Sequence, residues 1–284
     1  MEILKLGSKG PLVELVQSVF QKLGYYSGNI DSIFGYKTQM ATKKFQQDVN
    51  LSVDGIIGKN TWNTLSPYIN GYLIYTIKKG DTLFLLSQKY KTSVNRIITA
   101  NPNINPENLI INQKIIIPYG NIIPTNISYS YNILKMNISS LKLLYPFIEV
   151  SSIGNSVLEN SIPYIRIGNG NKQIFYNASF HANEWITSTL LMKFVEDYLI
   201  AYTDNKSIFG YSASVLFNTV SLYIVPMVNP DGVNLVTGEY PKNSSPYINT
   251  QNIANNYPFI SFPSGWKANI AGVNLESFQF FNNF

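Results

Sequence analysis

Residues 175–187 read FYNASFHANEWIT, and this stretch holds the only histidine of the chain, His181, with Glu184 three residues later. Before the histidine, residues 174–179 form a short apolar run rich in strand-forming residues, and from Trp185 the apolar residues follow a helical spacing. The sequence therefore predicts that the pair lies on a loop leading from a strand into a helix.

The pair has the chemistry of a metal site. A neutral imidazole nitrogen and a carboxylate oxygen close together suit Zn²⁺, and a catalytic zinc site needs one further protein ligand and a water molecule. On spacing alone, a lone histidine hydrogen-bonded to a surface glutamate is the commoner arrangement. The surrounding sequence must therefore decide between the two interpretations.

A second loop with polar residues follows downstream, where residues 220–233 read VSLYIVPMVNPDGV. This run predicts a buried strand that ends at Asn229. Together with SFHANEWIT at 179–187 and PSGWKANIAGV at 263–273, it resembles the zinc carboxypeptidase family. The closer likeness is to the bacterial branch that cuts the γ-D-glutamyl to diaminopimelate bond of peptidoglycan peptides, and it extends over residues 126–272.

This resemblance implies roles for three residues. In the family, a water molecule on zinc attacks the amide carbonyl, a glutamate acts as general base and a cation stabilises the oxyanion. His181 and Glu184 match two of the zinc ligands. Lys267 falls where related carboxypeptidases have an arginine beside the carbonyl oxygen, so it is the candidate catalytic contact to the oxyanion; a merely solvated lysine is the alternative.

The sequence departs from the family pattern near its end. After residue 273 the family has Asp-Leu-Asn and often an arginine to bind the substrate carboxylate, whereas residues 274–277 read NLES and place Glu276 there. The third zinc ligand, a distant histidine in the family, and the catalytic glutamate have no match in the 284 residues. We therefore expect a weak or incomplete Zn²⁺ site, with Asp231 and Glu276 as the substitute ligands to consider.

The first segment, residues 1–67, contains two copies of one pattern, DSIFGYKT at 31–38 and DGIIGKNT at 54–61. Each copy predicts a loop closed by glycine, and its final residue, Thr38 or Thr61, is placed to cap a following helix. An apolar stripe at helical spacing predicts an earlier helix through Leu12, Leu15, Val16, Val19, Phe20 and Leu23. The segment resembles the peptidoglycan-binding domain of wall hydrolases, although for single Asp, Gly and Thr residues a role in loops and caps is favoured over ligand contact.

The second segment, residues 74–118, predicts the order strand, helix, helix, strand, with Asp81 and Ser93 as helix caps. It resembles a LysM module in the stretches YTIKKGDTL, SVNRIITANP and NQKIIIP. Such modules bind N-acetylglucosamine chains in a groove between two strand–helix loops. The resemblance implies two walls of glycan-binding residues, namely Gly80, Asp81, Thr82 and Leu83 on one side and Asn108, Leu109, Ile110 and Ile111 on the other.

After a linker at residues 119–125, the third segment, residues 125–284, alternates predicted strands and helices, so a largely α/β sheet with exposed edges is expected. Such sheets bind ligands at strand ends, where His181 and Asn229 both fall. The predicted fold class is multidomain: a small three-helix domain, a βααβ LysM module and a truncated α/β zinc carboxypeptidase domain of which only the N-terminal part is present.

The overall composition gives weaker indications. A formal charge of +5, spread along the chain, suits an anionic surface such as a cell wall without requiring a partner, and no nucleic acid is expected. No apolar run approaches the about 18 residues of a membrane span, and the first residues lack the basic and apolar regions of a secretory signal. We expect cell-wall association through the two modules, with the protein in the cytoplasm until lysis or a release linked to sporulation.

Two functions remain open at this point. In the first, two modules that bind peptidoglycan and its N-acetylglucosamine-containing glycan tether a zinc peptidase and raise the local concentration of its substrate. In the second, the protein binds the wall without turnover, or it is the front half of a split enzyme whose other peptidase half is a separate chain. The family resemblance favours the first function, and the residues present favour the second.

Overall fold

The computed structural model describes residues 2–275. The first segment folds into three helices, which confirms the sequence prediction. They are α1 (Pro11–Lys22), α2 (Tyr36–Asp48) and α3 (Lys59–Asn70). Their apolar faces share one core that includes Phe20, Phe45 and Trp62.

The predicted helix caps of this segment are wrong. Thr38 and Thr61 do not cap α2 and α3, because both helices begin earlier, after Gly35 and Gly58, without a side-chain cap. The two threonines lie within the first helical turn and are buried. Their hydroxyls point inward to two buried glutamines.

Gln17 of α1 is the centre of the first of two hydrogen-bond networks. Its Nε2 donates to Asp31 Oδ1 at 2.8 Å, to the Ile33 carbonyl at 3.0 Å and to Thr38 Oγ1 at 3.1 Å. Its Oε1 accepts from the Asp31 amide at 3.0 Å. One amide side chain thus ties α1 to the first loop and to the start of α2.

Gln46 of α2 repeats this arrangement at the second loop. Its Nε2 donates to Asp54 Oδ1 at 2.8 Å, to the Ile56 carbonyl at 3.0 Å and to Thr61 Oγ1 at 3.1 Å. Its Oε1 accepts from the Gly55 amide at 2.9 Å. The Asp and Thr of each sequence repeat therefore belong to one of two matching buried hydrogen-bond networks.

The second segment has the predicted order of elements. They are β1 (Tyr72–Thr76), α4 (Leu83–Tyr90), α5 (Val94–Ala100) and β2 (Lys114–Pro118), and the two strands pair antiparallel. Ser93 caps α5 as predicted, since its Oγ accepts from the Arg96 amide. Asp81 does not cap α4: Thr82 takes that position, and Asp81 Oδ2 accepts instead from the Lys78 amide at 2.7 Å.

The third segment is an α/β unit, as predicted. Its elements are α6 (Tyr131–Leu144), β3 (Glu149–Asn155), β4 (Ser161–Ile167), β5 (Lys172–Asn177), α7 (Trp185–Thr203), β6 (Ser207–Ile208), β7 (Tyr211–Ser212), α8 (Ala213–Thr219), β8 (Val220–Val225), α9 (Pro230–Thr237) and α10 (Ser245–Ala254). The main sheet has the order β3-β4-β8-β5, in which only β5 and β8 run parallel. Throughout residues 2–275, the helices are too short or too polar to cross a membrane.

The parallel pair β5 and β8 brings the two polar loops together. Strand β8 ends at Val225, earlier than the predicted end at Asn229. Beyond the strands, the two chains stay joined by main-chain hydrogen bonds, since Val228 N donates to Ala178 O at 3.0 Å and Asn229 N donates to Ser179 O at 3.0 Å. The loop with His181 therefore leaves the sheet directly beside the loop with Asn229.

The three segments pack against one another. Between the first and third segments, the Glu14 carboxylate accepts from the Ser128 amide at 2.5 Å and from the Ser128 hydroxyl at 3.2 Å. Between the second and third segments, Ser93 Oγ donates to Asp204 Oδ1 at 2.5 Å. The helical core of the first segment is also continuous with that of the third.

The linker expected at residues 119–125 is irregular in secondary structure but firmly packed. Ile122 and Ile123 are buried, and the Ile122 amide donates to Oε1 of the buried Glu196 of α7 at 2.5 Å. Ile122 also packs against Gly71, where a Cβ would lie 2.5 Å from Ile122 Cγ1 and where φ is 71°. Only glycine combines that backbone conformation with so close an approach.

Candidate functional site

His181 and Glu184 meet at the start of α7. A short 3₁₀ turn, Ala182–Glu184, joins His181 to the helix. In this turn, Nδ1 of His181 lies 2.9 Å from Oε1 of Glu184. The histidine side chain is 9% exposed and the glutamate side chain 46% exposed. A nitrogen donor on the inner side and a carboxylate on the outer side thus point at each other at the protein surface.

Ser179 shapes the turn that presents this pair. Its backbone is left-handed, with φ 51°, a conformation that costs a non-glycine residue about 1 to 2 kcal/mol. Its amide donates to Thr187 Oγ1 at 3.0 Å, and its hydroxyl lies 2.7 Å from Ser188 Oγ and donates to the Glu184 carbonyl at 3.2 Å. Hydroxyl groups of α7 therefore hold the strained residue that directs the chain from β5 toward His181.

Asn229 fixes the same loop from the neighbouring strand. Its buried Nδ2 donates to the Phe180 carbonyl at 3.1 Å and to the Ala268 carbonyl at 3.2 Å. Its Oδ1 accepts from the Gly232 amide at 3.0 Å and so caps α9. The sequence predicts Asn229 at the end of a strand but not this positioning role, although an asparagine followed by proline is a signal for a helix N-cap.

The main chain of Lys267 is hydrogen-bonded to the loop that carries His181. Its carbonyl accepts from the Ala182 amide, next to His181, at 2.9 Å. The lysine itself is exposed, while the adjacent Trp266 is buried and anchors the segment. A contact between Lys267 and an oxyanion stays a prediction.

Asp231 has a structural task and does not join the pair. Asp231 is 1% exposed. Its Oδ1 accepts from Ser156 Oγ at 2.9 Å and from Asn160 Nδ2 at 2.7 Å. Its Oδ2 accepts from the Leu158 amide at 2.9 Å. The carboxylate therefore holds the turn between β3 and β4, and a role as substitute zinc ligand is not supported. Glu276, the other candidate, lies outside the described residues.

The pair fits zinc as two donors of a larger ligand set. Two ligands of a tetrahedral zinc ion at about 2.0 to 2.1 Å are roughly 3.3 Å apart, close to the 2.9 Å between His181 Nδ1 and Glu184 Oε1. Among residues 2–275, however, no group of three His, Cys, Asp or Glu side chains could hold a metal ion. The described residues thus supply two of the donors that a zinc site would need, and their role as zinc ligands stays a prediction.

The proposed walls of the glycan groove flank one end of the β1–β2 sheet. The two loops are joined where Ile77 N donates to Gln113 O at 2.9 Å and Asn112 N donates to Ile77 O at 2.9 Å. Asn112, at a position where LysM modules commonly have glycine, adopts a left-handed φ of 69°, which asparagine tolerates.

The eight predicted glycan contacts differ in accessibility. Asp81 is half-buried, and five of the others are exposed: Gly80, Thr82, Asn108, Ile110 and Ile111. The side chain of Leu83 belongs to the core of the second segment and Leu109 packs against that core. Leu83 therefore cannot contact a ligand through its side chain, because its apolar group is needed between helix and sheet, and the exposed Phe84 follows it.

Comparison with known families identifies all three segments. The model for zinc carboxypeptidases matches residues 135–278, the model for putative peptidoglycan binding domains matches residues 9–65, and the model for LysM domains matches residues 75–118.

Curated relatives agree with these matches. The γ-D-glutamyl-L-diamino acid endopeptidase 1 of Lysinibacillus sphaericus is 45% identical over 253 residues, which cover 70% of this chain and 63% of that protein. The uncharacterized protein YqgT of Bacillus subtilis is 36% identical over 150 residues, 52% of this chain and 39% of that protein. A spore cortex-lytic enzyme of B. subtilis is 32% identical over 105 residues, 34% of each chain. The chain thus spans less than two thirds of the length of these relatives.

Proposed function

The chain belongs to the zinc carboxypeptidase family, and we propose that it is a peptidoglycan-binding member whose third segment contributes part of a zinc peptidase site for γ-D-glutamyl bonds to diamino acids in cell-wall peptides. One observation carries the proposal: two segments of glycan-binding families are docked onto a segment that presents a histidine and a glutamate 2.9 Å apart at a sheet edge. The named relative, an endopeptidase for such bonds, supports the choice of substrate.

The chain's own residues would prepare the site in three ways. His181 offers Nδ1 as a ligand atom only when that nitrogen carries no proton, so the neutral imidazole is the competent form. Glu184 contributes negative charge beside it, and the bonds from Asn229 keep the loop in place. Zinc, when bound, supplies polarisation of a carbonyl group and activation of water. Lys267 would offer a positive charge near an oxyanion.

A second candidate function is wall binding without turnover. It is favoured by the two-donor set, since residues 2–275 hold no third His, Cys, Asp or Glu side chain grouped with the pair. In this version the protein attaches to peptidoglycan through its first two segments, and the His181 loop is inactive in the chain as it stands. The cell wall is the site of action in both versions.

The binding part is tested by sedimentation of the full chain with purified peptidoglycan. We expect the protein to pellet with the wall material and to stay in the supernatant without it. A folded chain that remains soluble in the presence of walls would refute both versions.

The catalytic part is tested separately with a γ-D-glutamyl-diaminopimelate peptide and zinc. We expect no release of diaminopimelate-containing product above the level of His181→Ala, because a missing ligand and general base together remove water activation and proton transfer, the base alone contributing about 10²- to 10⁴-fold. Zinc-dependent cleavage that His181→Ala abolishes would establish the peptidase version. Cleavage that appears only with a second polypeptide carrying a histidine and a glutamate would show a site completed in trans.

A further inference from the structure

A cavity of about 500 Å³ lies where the second segment meets the third. We call it the junction cleft. Ile98, Thr99 and Pro102 line it from the second segment, and Phe147, Tyr202 and Asn218 are among its residues from the third. None of its lining residues belongs to the His181 loop or to the proposed LysM groove. Its volume is within the range of about 300 to 1,000 Å³ typical of small-ligand sites.

One wall of the junction cleft is formed by packed aromatic rings. The ring centroids of Phe147 and Tyr202 are 5.1 Å apart, and Tyr202 stacks on Phe217 at 4.1 Å with 19° between the ring planes. Phe147 remains 40% exposed. Aromatic faces carry partial negative charge, so they attract the slightly positive C–H face of a sugar ring.

Five of the other eight lining residues are polar, and none of the eight is charged. The polar residues supply the hydroxyls of Thr99, Thr203 and Ser214 and the amides of Asn205 and Asn218. Hydroxyl and amide groups can both donate to and accept from the hydroxyls and acetamido groups of a saccharide. A charged stem peptide would find no counter-charge in this lining.

Thr203 provides a separate indication of a ligand. The residue is 8% exposed, and its buried Oγ1 has no hydrogen-bond partner within the part of the chain that the structure describes. Buried polar groups are almost always hydrogen-bonded, and Thr203 is one of the residues that line the cleft, so a rotation of its side chain toward the cleft would let a ligand supply the partner. A sugar hydroxyl or carbonyl supplies one.

We propose that the junction cleft binds a short stretch of neutral N-acetylhexosamine glycan, as a site additional to the LysM groove. The inference rests on the proposed function in one respect, since it takes the glycan strand of peptidoglycan as the natural source. A bound strand contacts α5 of the second segment and α7 and α8 of the third at once. The second segment and the peptidase-family segment then hold one strand jointly.

The test uses the full chain with Phe147→Trp as a fluorescent reporter and the N-acetylglucosamine tetramer as probe. The native tryptophans, Trp62, Trp185 and Trp266, do not line the cleft, so the unsubstituted chain provides the baseline. We expect a saturable change of emission in the reporter and none in the baseline chain. No saturable change at millimolar tetramer, or a response to a γ-D-glutamyl-diaminopimelate peptide in place of the sugar, would overturn the proposal.

A matched pair of substitutions in the reporter chain tests the role of Thr203. Thr189, also on α7, is buried and has an Oγ1 without a hydrogen-bond partner among the described residues, but it does not line the cleft. Thr203→Val should weaken tetramer binding about fivefold, the value of one typical hydrogen bond, whereas Thr189→Val should leave it unchanged. Equal affinities of both variants and the parent would contradict the assignment.

The outcomes separate this inference from the proposed function. A chain that pellets with peptidoglycan but gives no reporter response keeps the proposed function and loses the junction cleft. A reporter response in a chain that does not pellet with walls keeps a saccharide site at the cleft and refutes wall attachment.

Discussion

Replacing Gln46 by leucine should destabilise the first segment strongly, although the side chain lies far from the candidate metal site. The change removes three contacts that share the two N–H groups of Nε2 and one bond accepted by Oε1. Counted as three hydrogen bonds worth a net ~0.5–1.5 kcal/mol each, they sum to ~1.5–4.5 kcal/mol.

The neighbouring hydrogen bonds narrow this range of destabilisation. Asp54 Oδ1 keeps the Ile56 amide as donor, and the Thr61 hydroxyl can still donate to the Ile56 carbonyl. The buried Gly55 amide, in contrast, loses its acceptor and incurs a further desolvation cost of ~1–3 kcal/mol. Leucine recovers some apolar burial, so we expect a net loss of about 2–4 kcal/mol.

Amide hydrogen exchange read by mass spectrometry is the suitable assay, because a chain of several packed segments need not unfold in one step and exchange reports each region separately. A loss of 2–4 kcal/mol corresponds to roughly 30-fold or more faster exchange in α2 and α3. The matched control is Gln47→Leu, the same change at the exposed neighbouring position, which should stay within about 0.5 kcal/mol. Unchanged protection in Gln46→Leu, or an equal effect of Gln47→Leu, would refute the network as a source of stability.

Three further predictions concern charge and metal. The hydrogen bond from Gln17 lowers the pKa of Asp31. The ionised Asp31 carboxylate therefore stabilises the fold above the ordinary aspartate pKa, and this stabilisation is lost as the pH falls through the lower folded pKa. Asp31→Asn should flatten the acid limb of a circular-dichroism titration, and an unchanged limb would contradict this. Zinc should bind weakly and be lost on dialysis, and calorimetry should detect none in His181→Ala; stoichiometric zinc that survives dialysis would reveal a further ligand. Asp231→Asn should lower the melting temperature, because three donors lose a charged acceptor, yet leave zinc affinity unchanged; a fall in affinity would give Asp231 a metal role.

The first segment shows which part of a fold is readable from a local pattern. The repeated Asp, Gly and Thr positions were sufficient to predict its loops and helices. The function of the threonines was not predictable, since Thr38 bonds to a glutamine 21 positions away and Thr61 to one 15 positions away. A local pattern shows that a threonine begins a helix, and it does not show that a distant amide will use the hydroxyl.

In the candidate site, too, the local contact was predictable and the long-range contacts were not. His181 and Glu184 are three residues apart, so one turn of chain was sufficient to predict their contact. The bonds that position their loop come from Asn229 and from the main chain of Lys267, and both depend on the pairing of strands that are distant in sequence. The cap at α4 was missed by one residue, because Asp81 and Thr82 can both accept at a helix start and only the observed bond to Lys78 decides between them.

The packed residues 119–125 determine how the three segments can work on a polymer. A flexible linker would let the peptidase segment sample many positions along a strand, with an effective concentration set by linker length. Here the bonds of Ile122 to Glu196 and of Ser93 to Asp204 hold the segments at one mutual orientation. Under the proposed function, a bound glycan strand therefore presents to His181 only the side peptide at one fixed distance and one rotation about the strand. Peptides at other repeats are then reached only when the whole protein dissociates and rebinds.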